Sequence, residues 1–333
     1  MARFRPTNVF AEYKKLLTIL ALLCLYIGCG KCEYDEKLSI DLLYVSALSN
    51  CEPEKLMAKD CKAATASVEK RGFVPFFASE NFNTGYPMYM SLFRRDSQKE
   101  IIVSFSGTRN PKQLIDEFVK NVPTDYDIHP GKKVKVLKYF YEDYKNQFRN
   151  DLVQQLMSIF EDAKFDDFKV IFTGHSLGGA MAIHAAADLV LSDFLINRAA
   201  IVYTFGQPRV GNAEFYEQFI GKLNAFYRVV HDKDIVPHLP PCVPNLHHGC
   251  AKEGFLIPIF PYHAPTEIYY DKEMMSYKQC SNTEGEDKDC SDSLSKPSFG
   301  EHLTYFGVRV GEYHKQESEQ VNENSINKLL NSQ

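Results

Sequence analysis

The amino-acid sequence predicts an α/β fold, a mostly parallel central sheet with helices on both faces, and three observations predict it. From Glu100 onward, short β-branched and aromatic runs alternate with longer stretches at helical spacing, the pattern of consecutive βαβ units. One junction, Val170–Ala180 (VIFTGHSLGGA), passes from an apolar strand through a Gly-x-Ser-x-Gly turn into a small-residue helix. The chain has 333 residues, 44% apolar and 24% charged, which suits a folded globular protein.

Taken in order, Glu36–Ser49 (EKLSIDLLYVSALS) carries Leu38, Leu42, Val45 and Leu48 at helical spacing and predicts a helix covering one sheet face. Met88–Phe93 and Glu100–Phe105 predict strands, and the charged link Arg94–Lys99 suits a hairpin between them. Helical signals run over Val136–Ala163, followed by a strand at Lys169–Phe172 and a helix from Gly178 to Phe194. A strand at Ala200–Phe205, a helix at Ala213–Leu223 and a strand at Phe226–Val230 complete the alternation. Lys169–Phe172 is expected at the centre, because the segments on either side return to it. Beyond Pro241 the periodicity weakens, and cysteine loops, prolines and a charged run predict a long decoration over the same core. With no repeat and no linker, the expected division is a signal peptide at 1–30, one domain at 31–311 and a polar, frayed tail at 312–333.

Charge and cysteines bound the setting. With 38 basic and 43 acidic residues and a net charge of −5, no polyanion-binding surface is implied, so nucleic acid is not an expected partner. Arg3, Arg5, Lys14 and Lys15 precede the apolar run Leu16–Ile27, which is too short for a comfortable membrane span. Small residues Gly28 and Gly30 follow, so the segment predicts a secretory signal cleaved after Gly30 and a secreted, extracellular protein; a retained anchor is the alternative. Cys51/Cys61, Cys242/Cys250 and Cys280/Cys290 group locally and predict disulfides, with Cys32 left over. His247 and His248 inside the Cys242–Cys250 loop could also be metal ligands. In an exported chain a disulfide loop with solvated histidines is the favoured reading.

The turn Gly174-His175-Ser176-Leu177-Gly178 carries the chemistry. A tight strand-to-helix turn leaves no room for a Cβ beside the serine, lifts Ser176 Oγ clear of the sheet and points the Leu177 N–H at a developing oxyanion. Composition alone produces such a pentapeptide often enough that partners must decide. A serine alcohol needs a base, and the base needs an orienting acid. Open parallel sheets gather reactive groups beyond their carboxyl ends. There His231-Asp232-Lys233-Asp234 offers two acids, between which the residues do not choose. The histidines at positions 231, 238, 247, 248, 263, 302 and 314 are equally open, although His302 follows a glycine-marked turn leading into an apolar run.

Five segments together go further: Ile102–Thr108 (IVSFSGT), Val170–Ala180, Tyr203–Gly211 (YTFGQPRVG), Asp234–Pro237 (DIVP) and His302–Gly307 (HLTYFG). In this order they resemble the class 3 lipases, the fungal-lipase-like branch of the α/β-hydrolases, over residues 35–311. The resemblance implies an α/β-hydrolase fold with a helical lid. It implies Ser176 as nucleophile, Asp234 rather than Asp232 as the acid, His302 as the base, and the Thr108 N–H as second oxyanion donor beside Leu177. It also implies a lipid ester substrate met at a lipid–water interface, with transient membrane or lipid-droplet contact, and no metal or organic cofactor. Triacylglycerol lipase-like activity is expected, with phospholipase A1 or a soluble-ester esterase as alternatives. A catalytically silent lipid-binding protein on the same scaffold is the rival of another class. Ser106 departs from the family pattern, in which Arg is commoner.

Asn110-Pro111-Lys112-Gln113 reads as a capped helix start, with Asn as N-cap, Pro at the first turn and Gln closing a capping box. Leu114, Ile115, Phe118, Val119 and Val122 then form one apolar stripe, ended by Pro123. Such a stripe ordinarily packs on a core. Its place just after the oxyanion turn, where related lipases carry a lid, favours a lid that opens onto lipid. The chain has no Trp, so Phe118 would be its largest anchor.

Overall fold

The computed structural model describes residues 33–81, 87–108, 122–130, 133–242, 250, 261–293 and 297–316. In chain order the elements are helices α1 (Glu36–Leu48), α2 (Pro53–Met57) and α3 (Lys62–Lys70), then strands β1 (Val74–Asn81), β2 (Met88–Arg95) and β3 (Glu100–Phe105). A short pair, β4 (Pro123–Asp125) and β5 (Lys135–Leu137), leads into α4 (Lys138–Asp143) and α5 (Arg149–Phe160). Next come β6 (Lys169–His175), α6 (Leu177–Leu191), β7 (Ala200–Phe205), α7 (Ala213–Phe219) and β8 (Ala225–His231). The last are β9 (Glu267–Tyr270), β10 (Tyr277–Gln279), α8 (Phe299–His302), β11 (Thr304–Tyr305) and β12 (Val308–Arg309).

One sheet of eight strands, in the order β1-β2-β3-β6-β7-β8-β9-β10, carries the fold. Strands β3, β6, β7, β8 and β9 are mutually parallel, and antiparallel partners cap both edges. Strand β6 stands fourth of the eight, at the centre as expected. Side-chain alternation assigns the faces. Val103, Phe172 and Val202 point into the apolar core shared with α6. Ser104 and Thr173, one residue on, point the other way and meet α1 through Ser49 Oγ–Ser104 Oγ (2.8 Å) and Ser46 Oγ–Thr173 Oγ1 (3.1 Å).

Helix α1 departs from the one-sided stripe its sequence predicts: every residue from Leu38 to Leu48 is buried. A second layer covers its outer side. The Arg71 guanidinium, just past α3, stacks on Tyr44 at 3.8 Å, and Tyr313 meets the same ring edge-on at 5.3 Å. Tyr313 is 1% exposed, so packing continues beyond the expected domain boundary at 311, because an aromatic ring two residues on closes over α1.

Three further differences concern segments whose patterning is weak. Strand β1 was not anticipated, and β9 and β10 turn part of the C-terminal decoration into sheet. All of β10 is exposed, so it has no alternation to read. The expected helix over Val136–Ala163 begins as strand β5 and is split by a π turn at Tyr144–Phe148. The local cysteine pairs form the disulfides Cys51–Cys61, Cys242–Cys250 and Cys280–Cys290. Pairing of Cys242 with Cys250 leaves neither thiolate to a metal. Among the described residues no helix is long and apolar enough to cross a membrane. The signal segment, Cys32, His247, His248 and nearly all of the expected lid helix lie outside the described residues.

Candidate active site

The central strand delivers Ser176 directly. Strand β6 ends at His175, and Ser176 caps α6 with φ 58° and ψ −127°, a left-handed conformation that a serine adopts at a cost of about 1–3 kcal/mol. The neighbouring glycines make the turn possible by close approach. A Cβ on Gly174 would lie 2.3 Å from the Gly178 carbonyl, and one on Gly178 would lie 2.2 Å from Phe105 O. The Ser176 N–H is tied to Phe205 O at 2.9 Å, which fixes the turn against β7. Leu177 opens α6, where the first-turn N–H groups of a helix have no intrahelical partner.

Two chain segments, each more than fifty residues away along the sequence, converge on Ser176. His302 Nε2 lies 2.9 Å from Ser176 Oγ, and His302 Nδ1 lies 2.9 Å from Asp234 Oδ2. Asp234 is fully buried. It also accepts from the Tyr305 hydroxyl at 2.6 Å and, through Oδ1, from the Val236 N–H at 2.9 Å. Burial pushes its carboxyl upward, but His302, Tyr305 and the Val236 N–H outweigh that and hold it below the ordinary aspartate value. Asp232 lies outside this chain of contacts and accepts from the Tyr269 hydroxyl at 3.5 Å. The segments carrying Asp234 and His302 are joined by Ile235 N–H to Ser298 O (3.2 Å) and Ser298 N–H to Lys233 O (2.7 Å).

A cavity of about 360 Å³ opens over the serine. Thr108 and Ser176 both line it, as do Phe299, which opens α8, and Leu303, which follows it; the two are 37% and 42% exposed. Ser106, where the family more often has Arg, is 1% exposed and extends the β2–β3 pairing: its Oγ accepts from Tyr89 N–H at 2.9 Å. A serine can therefore do a backbone-pairing job at this position.

Several residues that touch this cluster escaped the sequence reading. Gly206 (φ +54°) closes β7, and a Cβ there would sit 2.6 Å from Asp234 Oδ2 and 2.9 Å from His302 Nδ1. Its signal was a glycine directly after a strand, the position where backbone must approach a site closely. Tyr305, three residues past the end of α8, lies in the HLTYFG segment, but nothing in that segment marks its hydroxyl as a partner of Asp234. His175 stacks on His302 with ring centroids 4.6 Å apart and places its Nε2 2.8 Å from His302 O. Burial and the neighbouring His302 push His175 down to about 3, so it is a neutral N–H donor there.

Comparison with known proteins finds lipases. The family model described as "Lipase (class 3)" matches residues 102–244. A lipase of Caenorhabditis elegans is 30% identical over 322 residues, covering 89% of this chain and 88% of that protein. The lipase of Rhizomucor miehei is 34% identical over 220 residues, covering 66% of this chain and 55% of its own length, so the chain spans about half of that fungal relative. A solved triacylglycerol lipase, whose catalytic centre is described as a serine protease triad, superposes with a TM-score of 0.68 at 27% identity, covering 85% of this chain and 98% of that one. With the fold, the ordered motifs and a relative matched over nearly its whole length, the chain belongs to the class 3 lipase family.

Proposed function

We propose that this protein is a secreted serine hydrolase that cleaves carboxylic esters of lipids, triacylglycerol lipase-like in its chemistry. The observation that carries the reading is the continuous relay Ser176 Oγ–His302 Nε2 and His302 Nδ1–Asp234 Oδ2, both steps at 2.9 Å. His302 takes the Ser176 proton as Oγ attacks the ester carbonyl. The oxyanion is received by the N–H groups of Leu177 and Thr108, each such donor contributing roughly 3–4 kcal/mol to the transition state. His302 returns the proton to the departing alcohol, then activates water to release the fatty acid from the acyl-enzyme. Asp234 keeps Nδ1 protonated and stabilises the imidazolium. Export is supported by the disulfides, which persist in oxidising compartments. In this reading residues 110–122 cover the site until they meet a lipid surface.

A second substrate reading, a phospholipase A1-type ester, is favoured by one feature. The cavity wall contributed by Asn50, Arg309, Glu312 and Lys315 is polar and charged, which suits a headgroup rather than a third acyl chain. A fluorophosphonate should label the wild-type protein and spare Ser176→Ala; a folded, unlabelled wild type would sink the enzyme reading. Fatty-acid release from triolein, phosphatidylcholine and a soluble butyrate ester, below and above the micellar threshold, then separates the substrates. A rate jump at the interface is expected, and its absence would count against the lid.

A further inference from the structure

His231, the last residue of β8, plays no part in the relay, yet its ring is surrounded by acceptors. It is 6% exposed. Its Nδ1 lies 3.0 Å from Glu301 O and 2.7 Å from Thr304 O, and its Nε2 lies 2.9 Å from Lys272 O. All three are backbone carbonyls, which only accept. A neutral imidazole carries one N–H, so one nitrogen would set its lone pair against a carbonyl oxygen. The ring satisfies every contact only when both nitrogens donate. The carboxylates of Glu301 and Asp271 lie close enough to interact with it, Lys233 faces the same Glu301, and the Tyr305 ring packs edge-on at 5.6 Å.

The carbonyls it holds belong to the residues just before and two after His302. The carbonyl of His302 itself is held by His175 Nε2 at 2.8 Å. Two imidazoles, from the ends of β6 and β8, thus fasten the backbone on both sides of a third. The backbone N–H of His231 also reaches Tyr305 Oη at 3.3 Å, the hydroxyl that donates to Asp234. Lys272 O, in the β9–β10 hairpin, ties this clamp to the edge of the sheet.

We propose that His231 is a positioning residue for the general base: donating from both ring nitrogens, it clamps the α8–β11 turn and so sets where His302 stands relative to Ser176. The proposal rests on the reading of His302 as the base. Displacing a catalytic group by about 1 Å lowers rates by about a hundredfold, so the clamp should act on kcat rather than on substrate binding. His231→Phe keeps a flat ring against Tyr305 and removes both donors. His231→Asn places an amide N–H near the Nδ1 position and can reach Thr304 O. His231→Gln places it near the Nε2 position and can reach only Lys272 O.

The measurement is kcat and KM on a soluble ester, normalised to sites titrated with a fluorophosphonate. Expected are a fall of roughly 10–100-fold in kcat per titrated site for Phe at constant KM, substantial rescue by Asn, and no rescue by Gln. A Phe variant within twofold of wild type per site, or Gln rescuing as well as Asn, overturns the proposal. The Asn–Gln contrast decides alone if the Phe variant does not fold. A wild type that titrates no sites would instead remove the reading of His302 on which the proposal stands.

Discussion

Among the described residues two carboxylates have no solvent exposure at all, Asp234 at the carboxyl end of the sheet and Asp188 inside α6. Both are fully hydrogen-bonded. Asp188 receives Arg149 Nε and the Tyr144 hydroxyl at 2.7 Å each, and His129 Nε2 at 3.0 Å. Asp234 receives a tyrosine hydroxyl, a backbone N–H and one imidazole. The difference is the neutralising group. A guanidinium is always charged, so the Asp188 cluster is balanced at rest and has nothing left to do. In the proposed mechanism the charge of Asp234 is balanced as His302 takes the Ser176 proton. Interactions that strengthen only in the transition state are the ones that accelerate a reaction. Buried acid plus partner is therefore not a site signature; buried acid whose imidazole partner also reaches a serine hydroxyl is.

The largest effect that tests this contrast is Asp234→Asn. It should lower kcat by about ten-thousandfold with the fold retained, because the imidazole loses its tautomer and its counter-charge. Asp232→Asn should stay within about twofold on the same assay, since its carboxylate is outside the relay. The reverse order would assign the acid wrongly. Asp188→Ala should do the opposite, leaving turnover per titrated site intact while costing stability. Breaking a buried pair costs about 3–5 kcal/mol, and the lower end is expected here because Arg149 keeps 34% of its side chain in water. Urea unfolding of the variant checks it, and an unchanged midpoint would mean the cluster is not structural. Tyr305→Phe is the intermediate case. It removes one hydrogen bond to a buried carboxylate, a contribution of about 1.5–3 kcal/mol, and should reduce kcat roughly tenfold or more while Asp234→Asn abolishes nearly all of it.

What could be read in advance follows the range of the interactions. The elbow around Ser176 is local, since glycine spacing, strand and helix all lie within a dozen residues, and β3 and β7 begin and end where their patterns do. The choice between Asp232 and Asp234 was not legible from residues alone. Both flank Lys233, and which one faces inward is set by the pairing of that loop with Ser298, more than sixty residues away. His231 carried no pattern for the same reason, and Gly206 and Tyr305, although they lie in the YTFGQPRVG and HLTYFG segments, take their place at the site from partners on other elements. Helix α1 hid its second layer because burial on all sides replaces a stripe with continuous apolarity.

The α6 region also holds a buried imidazole outside the site. His184 is completely buried among Tyr126, Tyr141, Tyr144 and Phe215, and neither ring nitrogen has a partner among the described residues. Burial pushes it down to about 3 from an ordinary 6.5. Its folded-state value is depressed, so the unfolded chain binds the extra proton and stability is lost as pH falls from 6.5 toward 3. His184→Phe should fill the same aromatic cage and flatten that acid limb. A variant whose melting temperature falls with acid as steeply as that of wild type would show that other groups dominate.

The smallest expected effect lies on the acid that neither device has rescued. Asp143, at the end of α4 beside the π turn, is 5% exposed, and its Oδ2 has no hydrogen-bond partner among the described residues. Burial, then the neighbouring Glu142, raise its carboxyl to about 7 from 3.8. Here the folded state holds the proton more tightly than the unfolded chain, so the sign is reversed relative to His184. Stability falls as pH rises from 3.8 through about 7, and above that the loss is constant. Asp143→Asn never ionises and is nearly isosteric. Its melting temperature should match that of wild type near pH 4 and exceed it by a margin that grows to neutrality and then levels off. An advantage independent of pH would mean that the amide gains a hydrogen bond the carboxyl lacks. A disadvantage at every pH would mean that the carboxylate has an ionic partner, as Asp188 does.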